Sequence, residues 1–220
     1  MNVKVEAAVF TVDRIRYLTD SSYVLRFSRN GMRFIPGQHL VLGLKDSPEH
    51  REYSIYSSIH DGALEVLIRE VDDGVVSRQL KSLEPGDPIE VRGPFGFFLN
   101  RAAVPDAGKL LFLASGTGIA PFHSYVKSFP EADYRIIQGV RHGNEAYDAG
   151  DFRKERYMLC TSRDETGDYY GRLTDYLQEA ALDPEYQVFL CGNSHMIFGA
   201  MDILGARGIP QRQIFTEVYF

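Results

Sequence analysis

The chain has 220 residues, 44 % hydrophobic and 25 % charged, enough for two compact units of about 100 residues each and unlike a disordered or fibrous protein. Its formal net charge of −6, with no run of Lys or Arg, argues against nucleic acid or an anionic lipid surface as partner. Two cysteines, Cys160 and Cys191, exclude a disulfide framework, a four-cysteine zinc site and a four-thiolate iron–sulfur centre, so any such cluster belongs to a separate protein.

Met1-Asn2-Val3-Lys4-Val5-Glu6 carries charge where a secretion signal needs an apolar stretch, and no apolar run reaches the roughly 18 residues of a membrane helix. A cytoplasmic location is the expectation. From Val3 to about Leu99 the apolar residues fall in short runs, Tyr23–Phe27, His39–Leu42, Ala63–Ile68 and Pro88–Val91, separated by Pro36-Gly37, Asp61-Gly62 and Pro85-Gly86-Asp87. Such bends between short strands predict an antiparallel barrel or sandwich, interrupted by one short helix from Val75 to Leu83. Arg101–Lys109 mixes Pro, Asp and Gly without periodicity and reads as a linker. Beyond it the pattern changes. Leu110-Leu111-Phe112-Leu113-Ala114 is a continuous apolar run suited to a strand buried on both faces, and helical segments then alternate with runs at 134–138, 157–160 and 188–190. The expected architecture is therefore a β-barrel domain over 1–103 followed by an α/β domain over 104–220 with a parallel sheet.

Arg51-Glu52-Tyr53-Ser54 offers a guanidinium, an aromatic plate and a hydroxyl within four residues. A flavin dinucleotide needs those groups for its pyrophosphate, its ring and the neighbourhood of its reactive nitrogen. Alone, such a segment is more often a surface arginine beside a core tyrosine. Gly74-Val75-Val76-Ser77 opens the short helix, where free N–H groups and the Ser77 hydroxyl suit a phosphate; a plain helix cap is the competing reading. Gly93-Pro94-Phe95-Gly96-Phe97-Phe98 reads on its own as a turn.

Further on, Gly116-Thr117-Gly118 lies between the buried strand and a helix opened by Pro121, where small residues let a dinucleotide approach the backbone. The following strand ends at Gly139 without the acid that an NAD site uses for its ribose. The next one runs into Thr161-Ser162-Arg163, suited to the extra phosphate of NADP, with Arg172 as a second cation. NADP is favoured over NAD. The histidines, His39, His123, His142 and His195 among them, show no metal-ligand spacing, and no metal is expected.

Taken in order, Arg-x-Tyr-Ser, Gly-x-x-Ser, Gly-Pro-x-Gly-x-Phe, Gly-Thr-Gly-x-Ala-Pro and Cys-Gly resemble the ferredoxin–NADP reductase family of flavoenzymes across nearly the whole chain. The resemblance implies FAD, with FMN as the alternative, held by Arg51 and by Gly74, Val75, Val76 and Ser77 at the pyrophosphate, with Tyr53 against the ring and Ser54 near its N5. It implies NADP(H) at Gly116, Thr117, Gly118, Ser162, Arg163 and Arg172, and Cys191 beside the nicotinamide as a positioning group. The final Phe215-Thr216-Glu217-Val218-Tyr219-Phe220 is similar to the Glu-Val-Tyr ending of plant-type members, so Tyr219 or Phe220 is expected over the flavin and Glu217 as a proton relay. The implied activity is electron transfer between NADPH and a separate ferredoxin or flavodoxin. Two competing readings are a reductase component that feeds an oxygenase or reduces free flavin or ferric chelates, and a flavin-free binding or regulatory module.

Overall fold

A computed structural model of the chain describes residues 7–71, 73–102 and 108–219. Its first half forms six antiparallel strands: β1 (Ala8–Tyr17), β2 (Ser22–Ser28), β3 (His39–Leu44), β4 (His50–Ser54), β5 (Ala63–Arg69) and β6 (Pro88–Phe95), with α1 (Val75–Lys81) between the last two. The spatial order is β4-β3-β6-β1-β2-β5. An antiparallel bridge between Ile55 and Val66, with the Tyr56 N–H donating to the Glu65 carbonyl at 2.7 Å, brings the two edge strands together and gives a barrel.

Alternation explains the strands. In β1, Phe10 and Val12 point inward between exposed Val9, Thr11 and Asp13, until a register shift between Val12 and Arg14 resets the phase. Phe10, Leu25, Phe27, Leu40, Leu42 and Val66 fill the barrel, and Val76 and Leu80 of α1 join the same core. The helix stops two residues earlier than the sequence suggests, where the Ser82 N–H bonds to the Gln79 carbonyl ahead of Pro85. Gly93-Pro94-Phe95 is not a turn but the end of β6, paired to His39 of β3.

The second half is a parallel sheet of β7 (Leu110–Ser115), β8 (Tyr134–Val140), β9 (Tyr157–Thr161), β10 (Tyr169–Tyr170), β11 (Gln187–Asn193) and β12 (Ile214–Tyr219), in the order β10-β9-β8-β7-β11-β12. Helices α2 (Ala120–Ser128), α3 (Leu173–Glu179) and α4 (Ser194–Ala206) cover it. The continuous apolar run of β7 is buried on both sides: Phe112 and Ala114 pack with Phe122 and Tyr125 of α2, while Leu111 and Leu113 pack with Leu177 and Ile197 of α3 and α4. The expected boundary between residues 103 and 104 lies outside the described residues. Among the described residues, no helix is long and apolar enough to cross a membrane.

Candidate functional site

Barrel and sheet enclose a cleft of about 1810 Å³. Single-ligand pockets run to roughly 300–1,000 Å³, so this one has room for two dinucleotides rather than one. Its barrel wall carries Arg51, Tyr53, Ser54, Gly74, Val76 and Ser77; its sheet wall carries Gly116, Thr117, Ser162, Arg163, Arg172, Glu217 and Tyr219. Two groups of residues separated by most of the chain thus share one space.

The walls meet at Ser54, which is 4 % exposed. Its hydroxyl donates to Glu217 Oε1 at 3.1 Å and accepts from the Tyr219 hydroxyl at 2.6 Å. Strand β4 ends at Ser54, and β12 alternates so that Glu217 and Tyr219 fall on one face. Burial pushes the Glu217 carboxyl up to about 7; the Ser54 hydrogen bond opposes that, and the Glu52 charge adds to it. The phenol of Tyr53, half-buried on the barrel wall, is pushed up to about 12 by burial, so it is a neutral plate at physiological pH.

Arg51 is 62 % exposed at the cleft wall, with Nη1 donating to the His50 carbonyl at 2.7 Å and lying 3.5 Å from Glu49. An exposed pair of that kind is worth about 0–1 kcal/mol, little enough for a diphosphate to displace. Gly74 caps α1, and a Cβ there would stand 2.7 Å from Ser77 Oγ and 3.1 Å from the Val71 carbonyl oxygen, so a side chain would have to displace the Ser77 hydroxyl. The Ser77 hydroxyl folds back onto that turn, at 3.4 Å from both the Gly74 carbonyl and the Val71 N–H.

The sheet wall has the opposite character to its neighbourhood. Arg163 and Arg172 are exposed and, among the described residues, form no ion pair; the same holds for Arg141, which follows β8 directly and lines the same wall. Three guanidiniums without an ion pair among the described residues thus stand beside Ser162, a donor set suited to an anion in a chain whose overall charge is negative. Sequence reasoning passed over Arg141. The rule that ligands bind beyond the carboxyl ends of parallel strands would have found it. Arg69, at the end of β5 and on the barrel wall, was also missed.

Three expected residues stand elsewhere. Val75 is 51 % exposed and off the cleft wall, because the residue beside it, Val76, is the one turned into the barrel core. Gly118 is buried beneath the wall, where a Cβ would lie 2.3 Å from the Cys191 carbonyl oxygen; it lets the turn pack on β11 rather than facing a nucleotide. Gly116 to Ile119 form a 3-10 turn that leads into α2, with Pro121 in the first helical turn as expected. Cys191 is fully buried and does not line the cleft. Burial, and then the Glu217 charge, push its thiol well above the usual range, while the Tyr219 hydroxyl interacts with it from the cleft side. Cys191 is therefore packed behind Tyr219. Phe220 lies outside the described residues.

The donor set fits two anionic dinucleotides: an aromatic plate and hydroxyl with a displaceable arginine on one wall, and free arginines with small residues on the other. A family profile described as an oxidoreductase FAD-binding domain matches residues 11–99, the barrel. The chain is 30 % identical to the flavodoxin/ferredoxin–NADP reductase of Rhodobacter capsulatus over 91 % of its own length and 86 % of that protein. It is also 30 % identical to the toluate 1,2-dioxygenase electron transfer component of Pseudomonas putida, covering 94 % of this chain and 66 % of that longer protein. In fold it is similar to a ferredoxin NADP+ reductase from Neisseria gonorrhoeae solved with FAD and NADP, with a TM-score of 0.86, 23 % identity and coverage of 99 % and 100 % of the two chains. The barrel matched by a flavin-binding profile and the 30 % identity to a flavodoxin/ferredoxin–NADP reductase along nearly the whole chain place this chain in the ferredoxin–NADP reductase family of FAD-binding oxidoreductases.

Proposed function

We propose that this flavin-dependent oxidoreductase exchanges electrons between NADPH and a separate one-electron carrier, a ferredoxin or a flavodoxin. The observation that carries the reading is the junction of Ser54, Glu217 and Tyr219, where residues of both walls close on one point of a cleft with arginines at either side. FAD, when bound, supplies the step from a hydride, which is a proton carrying an electron pair, to single electrons.

The chain's own residues have separate tasks. Arg51, released from Glu49, and the Gly74–Ser77 turn hold the pyrophosphate, while Tyr53 lies against the flavin ring and Ser54 fixes its reactive edge. Gly116 and Thr117 receive the NADPH backbone, and Arg141, Arg163 and Arg172 hold its 2′-phosphate through charge-assisted bonds that a guanidinium can make in pairs, with the Ser162 hydroxyl donating beside them. Tyr219 shields Cys191 and would exclude water from a bound flavin. Glu217, with a carboxyl near pH 7, can hold or release a proton at Oε1 through the Ser54 hydroxyl.

The identity to the toluate dioxygenase component supports a second reading, in which the acceptor is an oxygenase system. An absorbance spectrum of the purified protein, anaerobic titration with NADPH and NADH, and a panel of acceptors test both. A yellow protein bleached preferentially by NADPH and reoxidised by ferredoxin or flavodoxin is expected. A colourless protein that resists reconstitution with FAD would end this reading, and turnover confined to an oxygenase component would favour the second.

A further inference from the structure

Barrel and sheet are also joined away from the cleft. The strap after β4, residues 55–61, lies against α2: Ser124 Oγ donates to the Ser57 carbonyl at 2.7 Å, and the Ile59 N–H donates to Ser128 Oγ at 3.0 Å. In the middle of this seam His123, 1 % exposed, stacks on the ring of Tyr56 with centroids 3.7 Å apart and planes inclined by 12°. Its Nδ1 is 2.8 Å from the Tyr56 carbonyl oxygen and its Nε2 is 2.8 Å from Asp151 Oδ2.

Both facing atoms are acceptors. A peptide carbonyl has no proton to give, and the hydrogen bond from His123 holds Asp151 below the usual carboxylate range against the opposing effect of burial. The ring thus ties the strap to Asp151 through its two nitrogens. Further polar and aromatic contacts surround it. Asp148 accepts from the Tyr56 hydroxyl at 2.9 Å and is gripped by Arg16 of β1 at 2.8 and 2.6 Å, Lys127 of α2 sits 3.7 Å from Asp61, and Phe152 meets the imidazole edge-on at 5.8 Å.

We propose that His123, engaged at both ring nitrogens, is a pin between barrel and sheet, a positioning residue that sets the spacing between Tyr53 and Ser54 on one wall and the Gly116–Ile119 turn on the other. The levers are short. Tyr56 is two residues beyond Ser54, and His123 is in the first turn of the helix that the Gly116–Ile119 turn opens into. The pin lies off the cleft wall, so loosening it changes alignment rather than contacts, and about 1 Å of misalignment can lower a transfer rate on the order of 100-fold.

The inference rests on the proposed function, but its first readout does not. Amide hydrogen exchange of the strap 55–61 and of α2 in the purified protein should quicken in His123→Leu and stay close to wild type in His123→Gln, which keeps a side-chain donor at the seam. The single-turnover rate of flavin reduction by NADPH should fall by about 10-fold or more in His123→Leu, with the NADPH Michaelis constant unchanged, and should recover in part in His123→Gln. Seam exchange that is unmoved in His123→Leu overturns the pin. A reduction rate that is unmoved, or an effect on the Michaelis constant instead, overturns the positioning role. Absence of flavin would sink the proposed function while seam exchange still decided the pin, so the two failures are separable.

Discussion

Replacing Glu217 by Gln isolates the consequence of burying a carboxyl at the seam. In the folded chain that carboxyl is raised from 4.5 to about 7, mainly by burial. The folded state therefore binds a proton more tightly than the unfolded one, and wild-type stability should decline as pH rises from about 4.5 to about 7 and stay level beyond. At about 1.4 kcal/mol per pH unit the ceiling is about 3 kcal/mol. Partial exposure of Glu217 to the cleft reduces this to roughly 1–2 kcal/mol. Glutamine keeps an oxygen for the Ser54 hydroxyl and has nothing to ionise, so Glu217→Gln should match the wild type near pH 4 and exceed it by that amount at pH 8. For a chain of this length each kcal/mol is about 2–4 °C in melting temperature, which thermal unfolding at a series of pH values resolves. A variant that is less stable than wild type at pH 8, or a difference that does not change with pH, would refute the reasoning.

Arg163→Ala should raise the Michaelis constant for NADPH by roughly 10- to 100-fold, the worth of a charge-assisted hydrogen bond of about 1.5–3 kcal/mol, and leave that for NADH nearly unchanged; steady-state kinetics with both donors checks this, and equal effects would remove Arg163 from the 2′-phosphate. Arg141→Ala should behave in the same way, in contrast to its silence in the motif pattern. Tyr219→Ala should open a path to Cys191, so alkylation of that thiol, followed by mass spectrometry, should become faster by about 10-fold or more, in proportion to the exposed thiolate; an unchanged rate would mean that Tyr219 does not seal it. Gly118→Ala forces a Cβ to 2.3 Å from the Cys191 carbonyl and should destabilise the protein by about 1–3 kcal/mol or more, read as a lowered unfolding midpoint.

Local chemistry was the legible part of this sequence. The unbroken run of β7 announces a strand covered on both faces, and the alternation of short runs with Pro-Gly and Asp-Gly bends announces the antiparallel half, because each signal is confined to a few neighbouring residues. Position within a motif was less legible. Gly116-Thr117-Gly118 looks uniform in sequence, yet Thr117 lines the cleft while Gly118 is pressed on Cys191, a difference set by where β11 runs beside β7. The Ser54–Glu217 bond joins residues 163 positions apart, and only the docking of barrel against sheet creates it. His123 illustrates the same limit. In the sequence it reads as a satisfied surface or core histidine like the others, and its partners Tyr56 and Asp151 come from either side in the chain.

The strap from Ile55 to Asp61 closes the barrel through Val66 and Glu65 while its opposite side is bonded to α2 through Ser57, Ser58 and Ile59. One stretch of backbone is thus shared by two cores, and neither half can melt without surrendering bonds that belong to the other. Calorimetry should accordingly show a single heat-absorption peak rather than a barrel transition and a sheet transition resolved from each other.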